Sequence, residues 1–570
     1  MTIVGIDLGT TNSLISYWSE DGAQLIPNSL HQTLTPSVVG LDDQGDVLVG
    51  QAAKERLITH PDRTVADFKR LMGSDTICKL GPELQFRAEE LSAFVLRSLR
   101  ADAEAFFGHT VSRAIISVPA YFNDIQRKAT IDAGKLAGLE VESLINEPTA
   151  AALAYGLNEV DEQQFLIFDL GGGTFDVSIL DKYDNVMEVR ASAGDNFLGG
   201  NDFRDMLEAH ILNVHDLKDL KLQDKNRVRR LAEQIMQDLS VKDRVSYSLA
   251  LAALASGSEG ETVATGEMSR DQFDDMTGVL RRRLRTPIER AINDAILRPE
   301  QIENVVMVGG ASRIPRIRRM IGKLFQKLPL SHLNPDELVA MGAAVQAGLK
   351  VRNAALDDVV MTDVCPYTLG TSAVVHGTSD DLVIVPIIER NAVVPISQSQ
   401  NFYTIRDRQT QIHLDVYQGE NLRPDDNICL GSLTTKVPAG PAGEEGVDVR
   451  FTYDINGALE VEVTTLSTKQ VVRKIFKNQA NLTDDELEKR FKALNDIKLH
   501  PRELAENAAL LARAERIYAE SLREGRDYVR SLILEFEHTI ADQTLRDVDK
   551  VRAAFAAALD EFEHTIFDMD

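Results

Sequence analysis

Two different spacings of apolar residues divide the chain into regions. Up to about residue 350, β-branched runs that end at turn residues alternate with segments whose apolar positions recur at helical spacing. The strand candidates are residues 113–119, 164–170 and 304–310, and the helix candidates are residues 88–107 and 227–240. This alternation is typical of an α/β architecture, in which helices cover the faces of a sheet.

The last third of the chain has a different pattern. From residue 365 to about 477, apolar and polar positions alternate at period two, and turn groups separate the runs, which predicts an antiparallel β-domain of about 100 residues. The chain is helical in pattern from residue 482 onward. A short apolar run between acids connects the two halves. The predicted divisions are 1–355, a linker at 356–364, a β-domain at 365–478 and a helical segment at 479–570.

One sequence pattern, which predicts a strand, a glycine turn and a second strand, occurs twice in the first region. GIDLGTTNSLIS spans residues 5–16 and FDLGGGTFDVSIL spans residues 168–180, and each places an aspartate, Asp7 or Asp169, just before glycine. Glycine lets a ligand approach the backbone N–H groups closely, and successive N–H groups form an anion site. The aspartates suit such a site if Mg²⁺, held through its waters, lies between them and the phosphates.

The repeated pattern therefore predicts a two-lobed, duplicated domain that closes on a magnesium nucleotide. The chain has no GxxxxGK[ST] loop and no GxGxxG that opens a helix, so neither a P-loop nor a dinucleotide fold is expected. The alternative interpretation is that both turns are ordinary glycine hairpins between core strands. The second copy, together with a third glycine turn at 305–317, weighs against that alternative.

Composition narrows the partners and the compartment. With 570 residues, the chain is long enough for several domains, and its formal charge of -26 disfavours nucleic acid and anionic membrane as partners. Cys78, Cys365 and Cys429 are far apart, which favours a reducing compartment. The first residues lack the basic and apolar pattern of a signal peptide, and no apolar run approaches about 20 residues. A cytoplasmic protein is expected.

Seven motifs together resemble the heat-shock protein 70 family of chaperones, the DnaK type. They are GIDLGTTNS, VPAYFNDIQRKAT, NEPTAAALAYG, FDLGGGTFDVS, GGNDF, VGGASRIPRI and NPDELVAMGAAVQAG, in the family's order. The resemblance covers essentially the whole chain, and among family members it is strongest to the specialised bacterial paralogue HscC. It implies a multidomain α+β protein: an actin/hexokinase-like two-lobed nucleotide-binding domain, an antiparallel β-sandwich that binds peptide, and an α-helical lid.

The resemblance also implies a Mg²⁺-dependent ATPase that binds ATP or ADP, with K⁺ as a further candidate ion. The residues that match catalytic positions are Asp7, Lys69, Glu147, Asp169, Thr174 and Asp176, of which Asp7 and Asp169 hold Mg²⁺ through waters. The residues that match nucleotide-binding positions are Gly9, Thr10, Thr11, Asn12, Gly171, Gly172, Gly173, Gly199, Gly200, Glu233, Ser240, Gly309, Gly310, Ser312, Arg313 and Asp336. Met236 stands where the family has a lysine beside the adenine.

In the second half, the resemblance implies a groove that holds extended apolar peptide of unfolded client proteins. The matching residues are Thr371, Ala373, Val374, Ile405, Ile412 and Leu414, and spacing alone would assign Ile412 and Leu414 to an ordinary β-core. The linker match comprises Val359, Val360, Met361 and Asp363. Exposed apolar residues are costly in a segment that only joins two domains, where Gly or Ser would serve. The apolar linker therefore suggests a switch between two arrangements of the domains.

Several departures from the family pattern suggest altered co-chaperone requirements. The segment between KRLMGSD and VPAYFND is shorter than usual, from which we hypothesise an altered or absent exchange-factor requirement. Ser143 stands where the family carries an arginine that meets the J-domain co-chaperone, and Thr362 replaces a linker leucine. A J-domain partner other than the general one is therefore expected. Thr371 replaces an isoleucine of the groove.

Two other functions are compatible with an actin-like nucleotide fold. A small-metabolite kinase would transfer the phosphoryl group to a small molecule, and an actin-like protein would form filaments with ATP. Neither function has a use for residues 365–570, so the sequence favours the chaperone.

Overall fold

The structure, a computed structural model, describes residues 2–156, 163–183, 186–251, 262–330, 334–352, 356, 359–374, 382–453, 459–476, 501–521, 523–542 and 552–562. The elements up to residue 156 are the strands β1 (Ile3–Asp7), β2 (Asn12–Ser19), β3 (Gly22–Ile26), β4 (Thr35–Pro36), β5 (Val39–Leu41), β6 (Val47–Val49), β7 (Thr64–Val65), β8 (Cys78–Leu80), β9 (Leu84–Phe86), β10 (Arg113–Val118) and β11 (Glu140–Asn146), and the helices α1 (Gln51–Thr59), α2 (Ala88–Phe107), α3 (Asp124–Leu136) and α4 (Glu147–Gly156).

The first sheet has the order β11-β10-β1-β2-β3, with β4 paired to β2. The strands β1 and β2 form an antiparallel hairpin around the first glycine turn, and β10 runs parallel to β1. One face of this sheet packs against α2 and α3 in a cluster that includes Ile6, Leu96 and Ile116. We call this unit the first lobe. The predicted helix at 88–107 is confirmed at both ends.

The next elements are the strands β12 (Gln163–Leu170), β13 (Phe175–Tyr183), β14 (Val186–Asp195), β15 (Arg244–Leu251), β16 (Thr262–Ser269), β17 (Asn304–Val308) and β18 (Val360–Val364), and the helices α5 (Gly200–Val214), α6 (Leu222–Leu239), α7 (Arg270–Met276), α8 (Gly278–Asp294), α9 (Pro315–Phe325) and α10 (Leu338–Lys350). The helix predicted to start at residue 227 starts at Leu222, because residues 222–227 contain a single apolar residue and show no apolar period.

The second sheet repeats the topology of the first. The strands β12 and β13 form an antiparallel hairpin around the second glycine turn, β17 runs parallel to β12, and β14 pairs antiparallel with β13. The two predicted strand–turn–strand units are thus confirmed as the central hairpins of two sheets. This second lobe has its own buried cluster, which includes Phe168, Phe203 and Ile235.

Helices α4 and α10 lie between the two sheets, and both helices share a third buried cluster with the sheets. On α10, Gly342 approaches α4 so closely that a Cβ atom there would lie 1.7 Å from the Ala150 carbonyl oxygen. Gly5 of β1 also lies close to α10, since a Cβ atom there would lie 2.4 Å from Ala344 N. The lobes therefore meet through small residues, which allow close contact at the base of the cleft.

The C-terminal elements are the strands β19 (Leu369–Val374), β20 (Leu382–Ile388), β21 (Val393–Val394), β22 (Ile396–Tyr403), β23 (Gln411–Gln418), β24 (Ile428–Lys436), β25 (Gly446–Tyr453), β26 (Leu459–Thr465) and β27 (Val471–Phe476), and the helices α11 (Pro501–Glu520), α12 (Arg523–Asp542) and α13 (552–562). None of the helices in the described parts of the chain is long and apolar enough to cross a membrane.

Two four-stranded antiparallel sheets form the β-domain, in the orders β20-β19-β23-β24 and β22-β25-β26-β27. Burial alternates along β23, which confirms the predicted period of two, and both sheets contribute to one buried cluster. The strand β18 pairs in parallel with β14 of the second lobe and antiparallel with β21. A single sheet thus runs from the second lobe through the linker segment into the β-domain.

Candidate functional site

The first glycine turn, residues 8–11, follows the buried strand β1. A Cβ atom on Gly9 would lie 2.0 Å from the Asn12 carbonyl oxygen, so the turn requires glycine at this position. The Ser37 hydroxyl donates to the Gly9 carbonyl at 2.7 Å and fixes the loop. Asp7 ends β1 and accepts a hydrogen bond from the Ser117 hydroxyl of β10 at 2.8 Å. The first sheet therefore places the loop and its aspartate together.

The second glycine turn, residues 171–174, lies against the start of α5. The backbone N–H of Gly200 donates to the Gly171 carbonyl, and that of Asn201 donates to the Gly172 carbonyl, both at 2.8 Å. Gly199 allows this approach, because a Cβ atom there would lie 2.5 Å from the Gly172 oxygen. The matched residues Gly171, Gly172, Gly173, Gly199 and Gly200 are thus brought together in one backbone cradle.

The two turns face each other across the cleft between the lobes. A Cβ atom on Gly172 would lie 2.0 Å from the Thr11 hydroxyl, and one on Gly173 would lie 2.5 Å from the Thr10 hydroxyl. Side chains on the glycines would hold the lobes apart. Two facing loops that are rich in backbone amides and hydroxyls can bind a polyphosphate from both sides.

Four carboxyl groups and one lysine converge beside these loops. Lys69 is 4% exposed, and its Nζ lies 2.6 Å from Glu147 Oε1 and 5.7 Å from the centre of the Phe122 ring. Asp176 Oδ1 accepts a hydrogen bond from the Tyr121 N–H at 3.3 Å. Asp169 precedes the second turn on β12, and Thr174 follows it; both are buried. All six matched catalytic residues therefore lie where the two sheets meet.

Burial raises the pKa values of three of these acids. Burial and the nearby Glu147 charge raise the pKa of Asp7 to about 7, although Lys69 and the Ser117 hydroxyl lower it in part. Burial and Glu147 likewise raise the pKa of Asp176 to about 8. Burial raises the pKa of Asp169 well above its ordinary value. Acids in such surroundings ionise readily only when a cation arrives, so this group of side chains suits a divalent metal.

Among the described residues, no group of three or more His, Cys, Asp or Glu side chains is arranged to hold a metal ion directly. Mg²⁺ keeps several of its waters in protein sites, and carboxylates bind those waters as well as the ion. Asp7 and Asp169 are close enough for the charge of Asp7 to raise the pKa of Asp169, and the pair therefore suits an ion that both acids would reach through water.

The third glycine turn lies next to the second. Gly309 has a positive φ of 78°, and a Cβ atom there would lie 2.4 Å from the Leu170 carbonyl oxygen. The Ser312 hydroxyl donates to the Gly309 carbonyl at 2.7 Å, and Arg313 forms an ion pair with Asp336. The four matched residues of this turn and Asp336 are thus adjacent, since a Cβ atom on Gly310 would lie 3.2 Å from Asp336 Oδ1.

The two matched residues on α6 and just after its end form hydrogen bonds to that helix. Glu233 accepts from Gln237 Nε2 at 3.4 Å, and the Ser240 hydroxyl donates to the Met236 carbonyl at 3.2 Å. Met236 packs against the buried cluster of the second lobe. A role of Glu233 and Ser240 at an adenine ring stays a prediction.

A network that the sequence did not reveal connects the acids to the linker. Arg127 of α3 donates to the carbonyls of Ala120 and Phe122 and to Asn146 Oδ1. Asn146, next to Glu147 in the chain, donates to Asp363 Oδ2 at 2.8 Å. The Thr149 hydroxyl donates to the same oxygen at 3.1 Å. The partly buried Asp363 carboxylate is thus held by residues that flank Glu147.

The β-domain contacts the same segment of the first lobe. The Tyr367 hydroxyl donates to the Tyr121 carbonyl at 2.6 Å, and the Asp124 N–H donates to Gln418 Oε1 at 3.2 Å. Asp124 is 2% exposed. Residues 120–127 therefore lie between the buried acids and the β-domain, and a rearrangement at either end would be felt at the other.

A further ion pair connects the β-domain to the second lobe. Arg390 bonds both Asp294 of α8 and Glu420 near the end of β23, and these two hydrogen bonds raise the pKa of the Arg390 guanidinium. Asn391 also donates to Asp294, at 2.9 Å.

Helix α11 docks on the first lobe rather than on the β-domain. Arg516 Nε lies 2.6 Å from Glu55 Oε2 of α1, and Glu515 pairs with Arg56 at 3.4 Å. Glu55 also pairs with Arg230 of the second lobe at 3.5 Å. Contacts between residues so distant in sequence leave no signal in local spacing.

The residues matched to a peptide groove fall into two groups. Thr371, Ile412 and Leu414 are buried, and the Thr371 hydroxyl donates to the Asp415 carbonyl at 2.8 Å. Ile405 is 49% exposed, and Ala373 and Val374 are partly exposed at the end of β19. The linker residues Val359, Val360 and Met361 lie at the edge of the second lobe, where Met361 pairs with Met187 of β14.

Comparison with known proteins gives a consistent result. The family model described as Hsp70 protein matches residues 3–78 and 76–566. A relative named chaperone protein DnaK from Thermotoga neapolitana is 39% identical over 541 residues, which cover 92% of this chain and 89% of the relative. The DnaK of Thermotoga petrophila is 38% identical over 572 residues (97% and 94%), and that of Thermosipho melanesiensis is 41% identical over 498 residues (85% and 82%). The closer likeness to the HscC paralogue stays a prediction.

We expect the stability of the interface at Asp124 to depend on pH. Burial raises the pKa of Asp124 to about 6 from 3.8, and Arg127 offsets part of the shift. Because the folded state binds this proton more tightly, the stabilisation is complete below about pH 4 and is lost as the pH rises through 6. Asp124→Asn should therefore resist urea better than the wild type near pH 8, by about 1–3 kcal/mol, and by less near pH 5.5.

The control for this experiment is Asp271→Asn, which changes an exposed acid in the first turn of α7. Its urea midpoint should follow the wild type at both pH values. An equal gap between Asp124→Asn and the wild type at the two pH values would contradict the assignment.

Proposed function

The chain belongs to the Hsp70 protein family, and from that premise we propose that it is an ATP-dependent chaperone. Binding and hydrolysis of Mg-ATP by residues 1–355 would control how residues 365–478 bind and release extended apolar segments of unfolded proteins. Residues 356–364 would act as the linker, and residues 479–570 as a helical lid. The N-terminal part would have the actin/hexokinase fold, and the β-domain would be a peptide-binding sandwich. A cytoplasmic location is part of the same proposal.

One observation carries the nucleotide half of the proposal: buried carboxyls and Lys69 meet at two facing glycine loops. Bound Mg²⁺ would neutralise the charge of the phosphate oxygens that reach the loops. Asp7 and Asp169 would hold the ion through water, and the amides of residues 9–12 and 171–174 would bind phosphate oxygens. Gly309, Gly310, Ser312, Arg313 and Asp336 would hold the adenosine.

The chain's own side chains would then position the attacking water. Lys69 Nζ, now paired with Glu147, can donate to a phosphate oxygen without leaving its pocket, because the flexible stem only has to turn. Asp176, whose pKa is about 8 before any cation binds, could hold a proton or accept one from water. A cleft that closes on the nucleotide would exclude other water, which would strengthen each of these interactions.

The contacts of Asp363 support coupling between the two halves. The Asp363 carboxylate is bound by residues on both sides of Glu147, and β18 extends the sheet of the second lobe. We propose that this docked arrangement, with α11 on the first lobe, is the one that ATP favours. Undocking after hydrolysis would free the linker, the β-domain and α11 together, so peptide and nucleotide would affect each other reciprocally.

The groove is proposed at the exposed end of β19 and the loop before β23. Ala373, Val374 and Ile405 are accessible there, and Thr371, Ile412 and Leu414 would form its floor. A metabolite kinase and an actin-like filament protein remain the alternative proposals. Neither gives a role to the contacts of Asp363, Gln418 and Arg390 between the halves, and these contacts favour the chaperone.

Lys69→Ala should bind ATP but hydrolyse it about 100-fold more slowly than the wild type, because the cation at the phosphate is lost. The measurement is single-turnover hydrolysis with enzyme in excess, beside an equilibrium titration of labelled ATP. Lys79→Ala removes an exposed lysine of β8 and should keep the wild-type rate. Single-turnover hydrolysis at the wild-type rate in Lys69→Ala would show that the lysine has another role.

Asp363→Ala should abolish the acceleration of peptide release by ATP, since it removes two hydrogen bonds of the docked linker. We expect release about tenfold slower than in the wild type after mixing with ATP, measured as anisotropy of a labelled apolar peptide. Thr362→Val is the matched control, because the Thr362 hydroxyl is buried without a hydrogen-bond partner among the described residues. Equal release rates in Asp363→Ala and the wild type would contradict the coupling.

We propose that the J-domain partner is a dedicated one. Ser143 of β11 is 9% exposed and carries no charge where the family has an arginine, so the general J-protein should stimulate steady-state ATPase activity less than about twofold. Ser143→Arg should raise that stimulation. Strong stimulation of the wild type would argue against a dedicated partner.

We also propose that the requirement for an exchange factor is altered or absent. This hypothesis fails if the usual exchange factor speeds ADP release as it does for DnaK.

A further inference from the structure

The short segment that carries Lys69 also reaches across the cleft. Residues Phe68–Leu71 form one turn of 3₁₀ helix, and Asp67 before it has a φ of 60° in the left-handed region. Lys69 faces inward to Glu147, whereas Asp67 and Arg70 contact the second lobe. One turn of the first lobe thus serves both the catalytic site and the opposite wall of the cleft.

Asp67 binds two residues at the start of α5. Its Oδ1 accepts from Asn201 Nδ2 at 2.8 Å, and its Oδ2 accepts from Arg204 Nη2 at 3.3 Å. Arg204 Nη1 also donates to Asn201 Oδ1 at 3.1 Å, so each of the three side chains is hydrogen-bonded to the other two. The Arg204 side chain is 10% exposed and that of Asp67 is 30% exposed, so the pair is shielded in part from solvent.

Arg70, in the helical turn that follows Asp67, makes a second connection to the second lobe. Its Nε donates to the Gly173 carbonyl of the second phosphate loop at 2.9 Å, and its guanidinium pairs with Asp202. Asp202 in turn accepts from the Gly199 N–H at 2.7 Å. The second connection therefore ends on the backbone cradle itself.

We propose that these five residues, Asp67, Arg70, Asn201, Asp202 and Arg204, form a latch across the mouth of the cleft that sets how fast bound nucleotide leaves. The proposal rests on nucleotide binding at the facing loops. A phosphate chain between those loops is enclosed as long as the latch is closed, and it can leave only when the lobes separate. Separation breaks both charged connections at once, so each contributes to the barrier for release.

A second group of contacts between the lobes involves α1 and α6. Asn226 of α6 donates to the Leu57 carbonyl, and Glu55 of α1 pairs with Arg230. These contacts join α1 to α6 at the side where α11 docks. They constrain the lobes as a whole, whereas two latch residues, Arg70 and Asn201, bond carbonyl groups of the second glycine turn itself.

The test is the dissociation rate of fluorescently labelled ADP from the full-length protein, chased with unlabelled ADP in a stopped-flow instrument. Arg204→Ala should raise this rate about tenfold, the factor that corresponds to about 1.4 kcal/mol. Asp67→Asn removes the charge and keeps a residue that tolerates the left-handed backbone, so it should act in the same direction without unfolding the turn. The double variant should release ADP no faster than the faster single variant, since both changes break one pair.

Glu208→Ala is the matched control. Glu208 of α5 pairs with Arg229 of α6 inside the second lobe and does not cross the cleft, so its removal should leave the ADP dissociation rate within about twofold of the wild type. Arg204→Lys keeps the positive charge but loses the planar guanidinium that bonds two partners at once. It should therefore release ADP more slowly than Arg204→Ala and faster than the wild type.

The outcomes separate the latch from the function on which it rests. If the wild type binds no labelled ADP, both the proposed function and the latch are wrong. If the wild type binds ADP and both single variants release it at the wild-type rate, the latch is wrong and the proposed function stands. Additive effects of the two changes in the double variant would also overturn the latch, because they would show that Asp67 and Arg204 act separately.

Discussion

The structure depends on the burial of like charges where its two lobes meet. Asp7, Glu147, Asp169 and Asp176 are removed from water beside Lys69, and the cost appears as the raised pKa values of the three aspartates. Such a cluster is stable without ions only while protons or a lysine balance it. A cation that binds here would relieve this cost, and the proposed magnesium nucleotide would supply one as its Mg²⁺ ion, beside two loops suited to phosphate.

The same cluster explains why the halves of the chain can respond to each other. Glu147 and Asp176 each border a segment that touches the C-terminal half: residues 146–149 hold Asp363, and residues 120–127 contact Tyr367 and Gln418. Only a few hydrogen-bonded residues therefore separate the buried acids from the β-domain in the described structure. A change at the acids could reach the β-domain through these residues directly. Strand β18 on β14 and helix α11 on α1 belong to the same arrangement, which we propose that nucleotide stabilises or releases as a unit.

The sequence predicted what is local. The two hairpins, the glycines at their turns and the period of β23 follow from spacing and from the space a Cβ atom would need, and the structure confirms them. The roles assigned to Lys69 and Glu147 needed the family resemblance, since neither stands out in composition. Contacts such as Arg127 with Asn146, Asp67 with Arg204 and Arg516 with Glu55 could not be predicted, because each joins residues brought together by the tertiary fold alone. Thr371 illustrates the limit: its hydroxyl is satisfied by a β-strand carbonyl, which spacing does not reveal.

The most direct test of the account is the distance between the β-domain and the second lobe in different nucleotide states. Fluorescent labels on the exposed Cys429 of β24 and on a cysteine introduced at Val241, which is 79% exposed, would report it by energy transfer, with Cys78 replaced by serine. The account predicts a short, uniform distance with ATP and Mg²⁺ and a longer distance with ADP. The same distance in both states, or a short distance with ATP that persists after Mg²⁺ is removed, would contradict it.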